Sequence, residues 1–268
     1  MLNLKGKLAV VTGVSRRSGI GTAICRALAM EGADIFFTHW TPYDSEEGCG
    51  VDADWPNMLS EELQTHGVRV GHMEANLSDP EGPSIILDHT EEAIGVPTIL
   101  VNNACHCAPS TYLDLNASML DRHYAVNVRG TFLLSTEFAK RFEQKHAASA
   151  KGRIINLVSK GPDPNNLAYT ATKGAVITWT EPLSVGLAPL GITVNCVDPG
   201  PTDSGWMTEE IKKTLLPRFP MGRIGRPEDA AELVTFLAEI NLNGLLVKSF
   251  DLRADIPADE KERWVESA

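Results

Sequence analysis

No stretch of this 268-residue chain approaches the ~20 consecutive apolar residues that a membrane span requires. Met1 leads directly into LNLKGKLAVV, without the long apolar core of a secretory signal. Cysteine is sparse and odd in number: Cys25, Cys49, Cys105, Cys107 and Cys196. That count argues against a disulfide framework and for a reduced, cytoplasmic setting. Cations are outnumbered, 24 Lys and Arg against 35 Asp and Glu, giving a net charge of −11 and a pI near 5.1. Nucleic acid and anionic membrane both want clustered Lys and Arg, so neither is expected as a partner. Cys105, His106 and Cys107 carry metal-ligand chemistry, but no second ligand pair follows at a useful spacing, so no metal site is expected. Repeats and low-complexity linkers are also missing. One domain over 1–254, followed by a polar, acidic tail at 255–268, is the simplest organisation.

What is present is an alternation of short apolar runs with amphipathic segments. KLAVVTG (7–13), DIFFTHW (34–40), HGVRVGHMEANL (66–77), PTILVNNA (97–104), GRIINLVS (152–159) and GITVNCVDPG (191–200) read as six strands, with NGLLVKSF (243–250) as a candidate seventh. Between them, Ile20, Ile24, Ala27 and Leu28 fall on one helical face, as do Leu134, Phe138, Arg141 and Phe142. Near-continuous apolar strands separated by helices mean a parallel sheet covered on both faces. Right-handed crossovers then give a doubly wound α/β fold of about seven strands. Two long connections interrupt the rhythm. Residues 41–57 are acidic and turn-rich and read as a surface excursion. Residues 202–230 follow a strand's carboxyl end, where substrate loops lie in such sheets.

TGVSRRSGIG (12–21) joins the first strand to the first helix. Gly13, Gly19 and Gly21 let the backbone turn sharply and approach a ligand, and the helix N-terminus beyond favours a pyrophosphate. Tyr169 and Lys173 stand four apart at a helix start, on one side. An ammonium beside a phenol favours the phenolate, so the pair predicts a Tyr169 more acidic than the ordinary ~10. Such a tyrosine passes a proton to a carbonyl oxygen or takes one from an alcohol. Ser159, at the end of the fifth strand, is placed to hydrogen-bond the same oxygen.

Together these motifs, in this order and over about residues 5–250, resemble the short-chain dehydrogenase/reductase family in its single-domain form. The resemblance implies a Rossmann-like domain and a catalytic set of Asn127 (in YAVNVRGTF), Ser159, Tyr169 and Lys173. Tyr169 would be the acid/base, Lys173 its tuning group and ribose ligand, and Asn127 the support of a proton relay. The cofactor-binding positions implied are Gly13, Ser15, Arg16, Arg17, Gly19, Ile20, Gly21, His39, Asn76, Leu77, Asn103, Ala104, Tyr169, Lys173, Pro199, Gly200 and Thr202. NAD-preferring members carry an acidic residue at the end of the second strand. That place holds His39 here, while Arg16 and Arg17 suit a 2′-phosphate, so NADP is expected over NAD. Hydride transfer between a nicotinamide and a ketone or secondary alcohol follows, by a homo-dimer or homo-tetramer. A non-redox relative (dehydratase, epimerase or cyclase) and a non-catalytic NADP-binding sensor are the alternatives.

The chain departs from the family in five places. The glycine loop has five residues, Val14 to Ser18, between Gly13 and Gly19, more than the common pattern. Cys105 replaces a glycine of the family's NNAG turn, at a strain cost if the position needs a positive φ. Ser159 and Tyr169 are ten residues apart, closer than usual, across a loop holding Pro162 and Pro164. Pro182 should kink the helix that bears Tyr169. The usual Gly-Gly turn near the carboxyl end is absent.

Overall fold

The structure, a computed structural model, describes residues 3–46, 51–219, 221–239 and 249–251. Along the chain run β1 (Leu8–Val11), α1 (Ile20–Met30), β2 (Asp34–His39), α2 (Thr41–Glu46), α3 (Trp55–Gln64), β3 (Val70–Glu74), α4 (Gly82–Ala93) and β4 (Ile99–Asn102). Then follow α5 (Ala117–Tyr124), a π-helical turn (Ala125–Gly130), α6 (Thr131–Lys145), β5 (Gly152–Leu157), α7 (Leu167–Leu187), β6 (Ile192–Asp198), α8 (Glu209–Leu215), α9 (Pro227–Ala238) and β7 (Ser249–Asp251). Every strand pairing is parallel, in the order β3-β2-β1-β4-β5-β6-β7. Six strands of four to seven residues make the sheet, and β7 adds three residues at the edge. Of the expected seventh strand at 243–250, residues 249 and 250 fall in β7, while residues 243–248 and the 255–268 tail lie outside the described residues.

Side chains alternate along a strand, and both sets are apolar, so both faces are cores. Ala9, Val11, Ile35, Phe37, Val101 and Ile155 face one way, against Ile24 and Leu28 of α1, Leu59 and Leu63 of α3, and Val234 and Leu237 of α9. Leu8, Val10, Phe36, Leu100 and Ile154 face the other way, against Ile86 and Leu87 of α4 and Leu134, Phe138 and Phe142 of α6. Each such side chain removed from water contributes about 1.5–3 kcal/mol against the entropy of ordering.

The described parts of the 41–57 segment, expected as a surface excursion, are helical at α2, enter α3 at Trp55, and bury Asp44 and Trp55. The helix expected to kink at Pro182 is continuous from Leu167 to Leu187. Leu183 and Leu187, just beyond the proline, pack against the sheet, and that tertiary burial outweighs the lost backbone bond.

A buried polar chain crosses the middle of the sheet. Asn102 Nδ2 donates to Ser135 Oγ (2.9 Å) and to Asn156 Oδ1 (2.8 Å). Asn156 Nδ2 in turn donates to Thr180 Oγ1 (3.3 Å), which lies 2.9 Å from Cys196 Sγ. The chain ties β4, β5 and β6 to α6 and α7, directly beneath the carboxyl edge. Asn156→Ala strands partners on both sides. It is expected to cost about 1–3 kcal/mol, read as a lower urea midpoint with an unchanged slope.

Candidate active site

The order β1-β4 is where the chain reverses its winding, so the loops after β1 and β4 part there and leave a crevice at the strands' carboxyl ends. Thr12 stitches these loops together. Its Oγ1 accepts from the backbone N–H groups of Asn103 and Ala104, each at 3.1 Å. Asn103 Nδ2 returns bonds to the carbonyls of Thr12 (2.8 Å) and Gly13 (2.9 Å). Gly13 sits at φ +75°, and a Cβ there would meet Ala104 Cα at 2.6 Å; at Gly21 it would meet Asn103 Nδ2 at 2.7 Å. The loop's additional residues fold into a turn closed by Gly19 N donating to Arg16 O (3.0 Å). Helix α1 starts at Ile20 with Gly19 as N-cap, and no side chain caps its first amides. A bare backbone cradle opening on uncapped helix amides fits a pyrophosphate.

At the outer end of this cradle, Ser15, His39, Thr41, Asp44, Val51, Asp52 and Pro56 line a recess. His39 Nδ1 is buried with no hydrogen-bond partner. Burial and the neighbouring His72 push the His39 imidazole below its ordinary range. Arg16 Nε lies 3.7 Å from Asp44, and Arg17 Nε bonds Asp52 at 2.6 Å while its guanidinium stacks 4.6 Å over Trp55. Asn76 Oδ1 accepts from Ser78 N and Oγ in a local turn, and Leu77 is core.

The other end of the crevice is built around the start of α7. Lys173 is buried, donates its Nζ to Leu157 O at 2.7 Å, and holds that ammonium 5.5 Å from the centre of the Tyr169 ring. Asn127 lies in the π-helical turn, a register change frequent at functional sites. Its Oδ1 accepts from His106 N (2.7 Å), and its Nδ2 donates to His106 O (2.8 Å) and to Thr172 Oγ1 (2.9 Å). Thr172 Oγ1 donates to Tyr169 O (2.8 Å), so Asn127 connects the 105–110 loop to the turn of α7 that carries Tyr169. The same loop is zipped to α7 by Ser110, which exchanges backbone bonds with Asn165 and Leu167 and caps Ala168 N through its hydroxyl. His123 completes the brace: its Nε2 accepts from Ala108 N (3.2 Å) and its Nδ1 meets Met119 O (2.7 Å), which requires the neutral Nδ1–H form.

Ser159 lies two residues beyond β5, half-buried, and makes no side-chain hydrogen bond among the described residues. The short loop after it is drawn in by Lys160 N donating to Asp198 Oδ2 (2.9 Å). Pro199 and Gly200 turn the chain after β6, Gly200 at φ +65° and with its N–H on Asp198 Oδ1 (3.0 Å). Thr202 is buried, its hydroxyl turned back to the carbonyls of Pro199 and Gly200. Ser18 Oγ donates to Ser204 O (3.2 Å), joining this turn to the glycine loop.

Three features differ from what spacing and residue type suggest. The Tyr169 phenol is raised well above its ordinary value, not lowered. Burial is the main cause, reinforced by Cys105, Cys107, Asp198 and Tyr43, and Lys173 is turned to a carbonyl rather than to the phenol oxygen. Cys105 carries no strain, since no non-glycine among the described residues has a positive φ. Asp198, fully buried between the two loops, went unread because an acid at the end of an apolar strand looks like a turn residue. Asp44, Tyr43, Thr172 and His123 likewise carry no motif of their own.

His106 packs edge-on against Tyr43 and His123, and burial, with His123 and Arg122 nearby, lowers it to about 4. An unfolded histidine titrates near 6.5, so the unfolded chain binds the extra proton first. Stability is whole above about pH 6.5 and is lost as pH falls toward about 4. The loss is on the order of 3 kcal/mol. Urea midpoints between pH 7 and 4 should flatten in His106→Asn.

The family model described as enoyl-(acyl carrier protein) reductase matches residues 13–245. The uncharacterized oxidoreductase YjdA of Bacillus subtilis (strain 168) is 49% identical over 241 residues, covering 89% of this chain and 92% of its own. The NADPH-dependent aldehyde reductase-like chloroplastic protein of Arabidopsis thaliana is 37% identical over 248 residues, covering 88% and 89%. A short chain dehydrogenase from Burkholderia cenocepacia J2315, solved in complex with NADP, superposes with a TM-score of 0.79 at 30% identity, covering 93% of this chain and 97% of that one. This chain therefore belongs to the short-chain dehydrogenase/reductase family and is an oxidoreductase that uses a nicotinamide cofactor.

Proposed function

We propose that the protein is an NADP-dependent carbonyl reductase, interconverting a ketone or aldehyde and the corresponding alcohol. The observation that carries this reading is the arrangement of Tyr169 and Lys173 at the sheet's carboxyl edge. The phenol is buried and kept protonated, and the ammonium is locked to Leu157 O within 5.5 Å of the ring. A tyrosine that holds its proton at neutral pH is suited to giving it up to an oxygen that gains charge, which is the reductive direction. The NADPH-dependent relative and the NADP complex named above support the cofactor, as do Arg16 and Arg17, which pair with Asp44 and Asp52 of the outer recess.

In this reading Gly13, Gly19, Ile20 and Gly21 hold the pyrophosphate, and Arg16, Arg17, His39 and Ser15 face the adenosine ribose. Asn76 and Leu77 border the adenine, while Asn103, Ala104, Pro199, Gly200 and Thr202 wall the nicotinamide end. When bound, the reduced nicotinamide supplies the hydride. Tyr169 gives the proton of its Oη to the substrate oxygen, so C=O becomes CH–OH. Lys173 holds the ring and the ribose in place. Ser159, with its free hydroxyl, orients the substrate oxygen. Asn127 acts through Thr172 and the 105–110 loop to position Tyr169. The half-buried Cys105 and Cys107 make part of the substrate wall apolar and soft.

Tyr169→Phe keeps the ring and removes the proton. It is expected to lower kcat at least ~100-fold in a ketone and aldehyde panel followed at the reduced-nicotinamide band, with NADPH affinity kept. Retained turnover would remove Tyr169 from the role. Because the phenol is raised, wild-type kcat/KM for reduction should stay level through neutral pH and fall only above the ordinary tyrosine value of ~10. A fall near pH 8 would assign the acid to another group.

A further inference from the structure

The two arginines at the outer recess are each already engaged by a carboxylate. Asp44 comes from α2 and Asp52 from the approach to α3, the segment that follows β2 and carries no family motif. Asp52 meets Arg17 Nε at 2.6 Å, on the solvent side. Asp44 is buried, is hydrogen-bonded to Ser15 and lies 3.7 Å from Arg16 Nε. Both aspartates line the recess with His39, whose buried Nδ1 has no hydrogen-bond partner among the described residues. The packing around them is built rather than incidental. Arg17 stacks on the buried Trp55, whose indole N–H donates to Thr22 Oγ1 (3.3 Å), while Thr22 Oγ1 donates to Arg16 O (2.6 Å).

We propose that Asp44 and Asp52 are intramolecular stand-ins for a ribose 2′-phosphate: each neutralises one arginine, and a phosphorylated ribose must displace them. This rests on the NADP reading above and adds to it a specificity device. Two arginines alone would reward a 2′-phosphate with the full attraction of both guanidiniums. With a carboxylate on each, the phosphate gains only the difference between the new pairs and the old ones. Discrimination between the phosphorylated and unphosphorylated cofactor is thereby held down, and the two cations keep a partner whichever cofactor is used. The buried Nδ1 of His39, which has no hydrogen-bond partner among the described residues, is left to the ribose in either cofactor.

The test uses the adenosine halves of the two cofactors, 2′,5′-ADP and 5′-AMP, with the full-length protein and calorimetric binding. Asp52→Asn keeps size and hydrogen bonding at an exposed position, so folding is not at risk, and circular dichroism checks Asp44→Asn. Asp52→Asn is expected to raise 2′,5′-ADP affinity about 1.5- to 5-fold, the worth of an exposed ion pair, and to leave 5′-AMP unchanged. Asp44→Asn is expected to act in the same direction. Unchanged or weakened 2′,5′-ADP binding in both variants overturns the proposal, and a loss of 5′-AMP binding in Asp44→Asn makes that residue a ribose ligand instead. Arg16→Ala and Arg17→Ala separate this from the underlying reading. If neither weakens 2′,5′-ADP, the recess is not a phosphate site and both ideas fall. If they do weaken it while the aspartate variants change nothing, only the stand-in role falls.

Discussion

The hydroxyl of Thr12 is the point from which the rest of the site is hung. It sits one residue past β1, and its oxygen gathers the two amides that begin the loop after β4. Asn103 answers with two bonds to the carbonyls of Thr12 and Gly13. These contacts join the two strands between which the sheet changes its direction of winding, where the crevice must open. They also bring the loops so close that Gly13 and Gly21 have no room for a side chain. The bare phosphate cradle is thus a consequence of the stitch, and so is the direction in which the 105–110 loop leaves toward α7.

From that loop the constraint passes to the chemical end. Asn127 treats His106 as a strand neighbour would, accepting from its N–H and donating to its carbonyl. Ser110 binds both sides of the start of α7, and His123 holds Ala108. Tyr169 is therefore placed by backbone contacts reaching back to β1 through β4, with little dependence on the loop after β5. This explains how the chain tolerates so short a connection between Ser159 and Tyr169. The connection is held separately, by Lys160 on Asp198, and α7 does not need it for its position.

How much of this was legible follows from which effects are periodic and local. The parallel sheet and its two cores could be read because an apolar strand buried on both faces has a simple pattern, and the outcome agrees in all six of the longer strands. The glycine turn and the Tyr169–Lys173 spacing could be read because φ and helical pitch act within a few residues. The rest depends on partners far apart in sequence. The Tyr169 phenol was expected to be acidic from its neighbour four residues on, yet burial governs it, with the charges of Cys105, Cys107, Asp198 and Tyr43 adding to the rise. Pro182 was expected to kink its helix, and nothing local shows that packing beyond it keeps the helix continuous to Leu187. The acidic 41–57 segment read as solvated because nothing local shows that Arg16 and Arg17, more than twenty residues earlier, take its carboxylates.

That last pairing bears on how charge should be read in a chain of net −11. A net charge of this size repels anions at long range, and salt screens it beyond about 8–10 Å. Inside that distance the local arrangement decides: uncapped amides at the start of α1, two arginines in the loop before it, and two aspartates opposite them. Arg17 is stacked on Trp55 and hydrogen-bonded, hence oriented, Arg16 is held by its ion pair alone, and the carboxylates differ, one buried and one partly exposed. An exposed carboxylate is readily exchanged for another anion, because water compensates it on leaving. A buried one yields less readily, because it needs another partner when it leaves. The solvent-side pair, Arg17 with Asp52, is accordingly the first of the two to give way to a ligand, and the buried pair, Arg16 with Asp44, is the more costly to open.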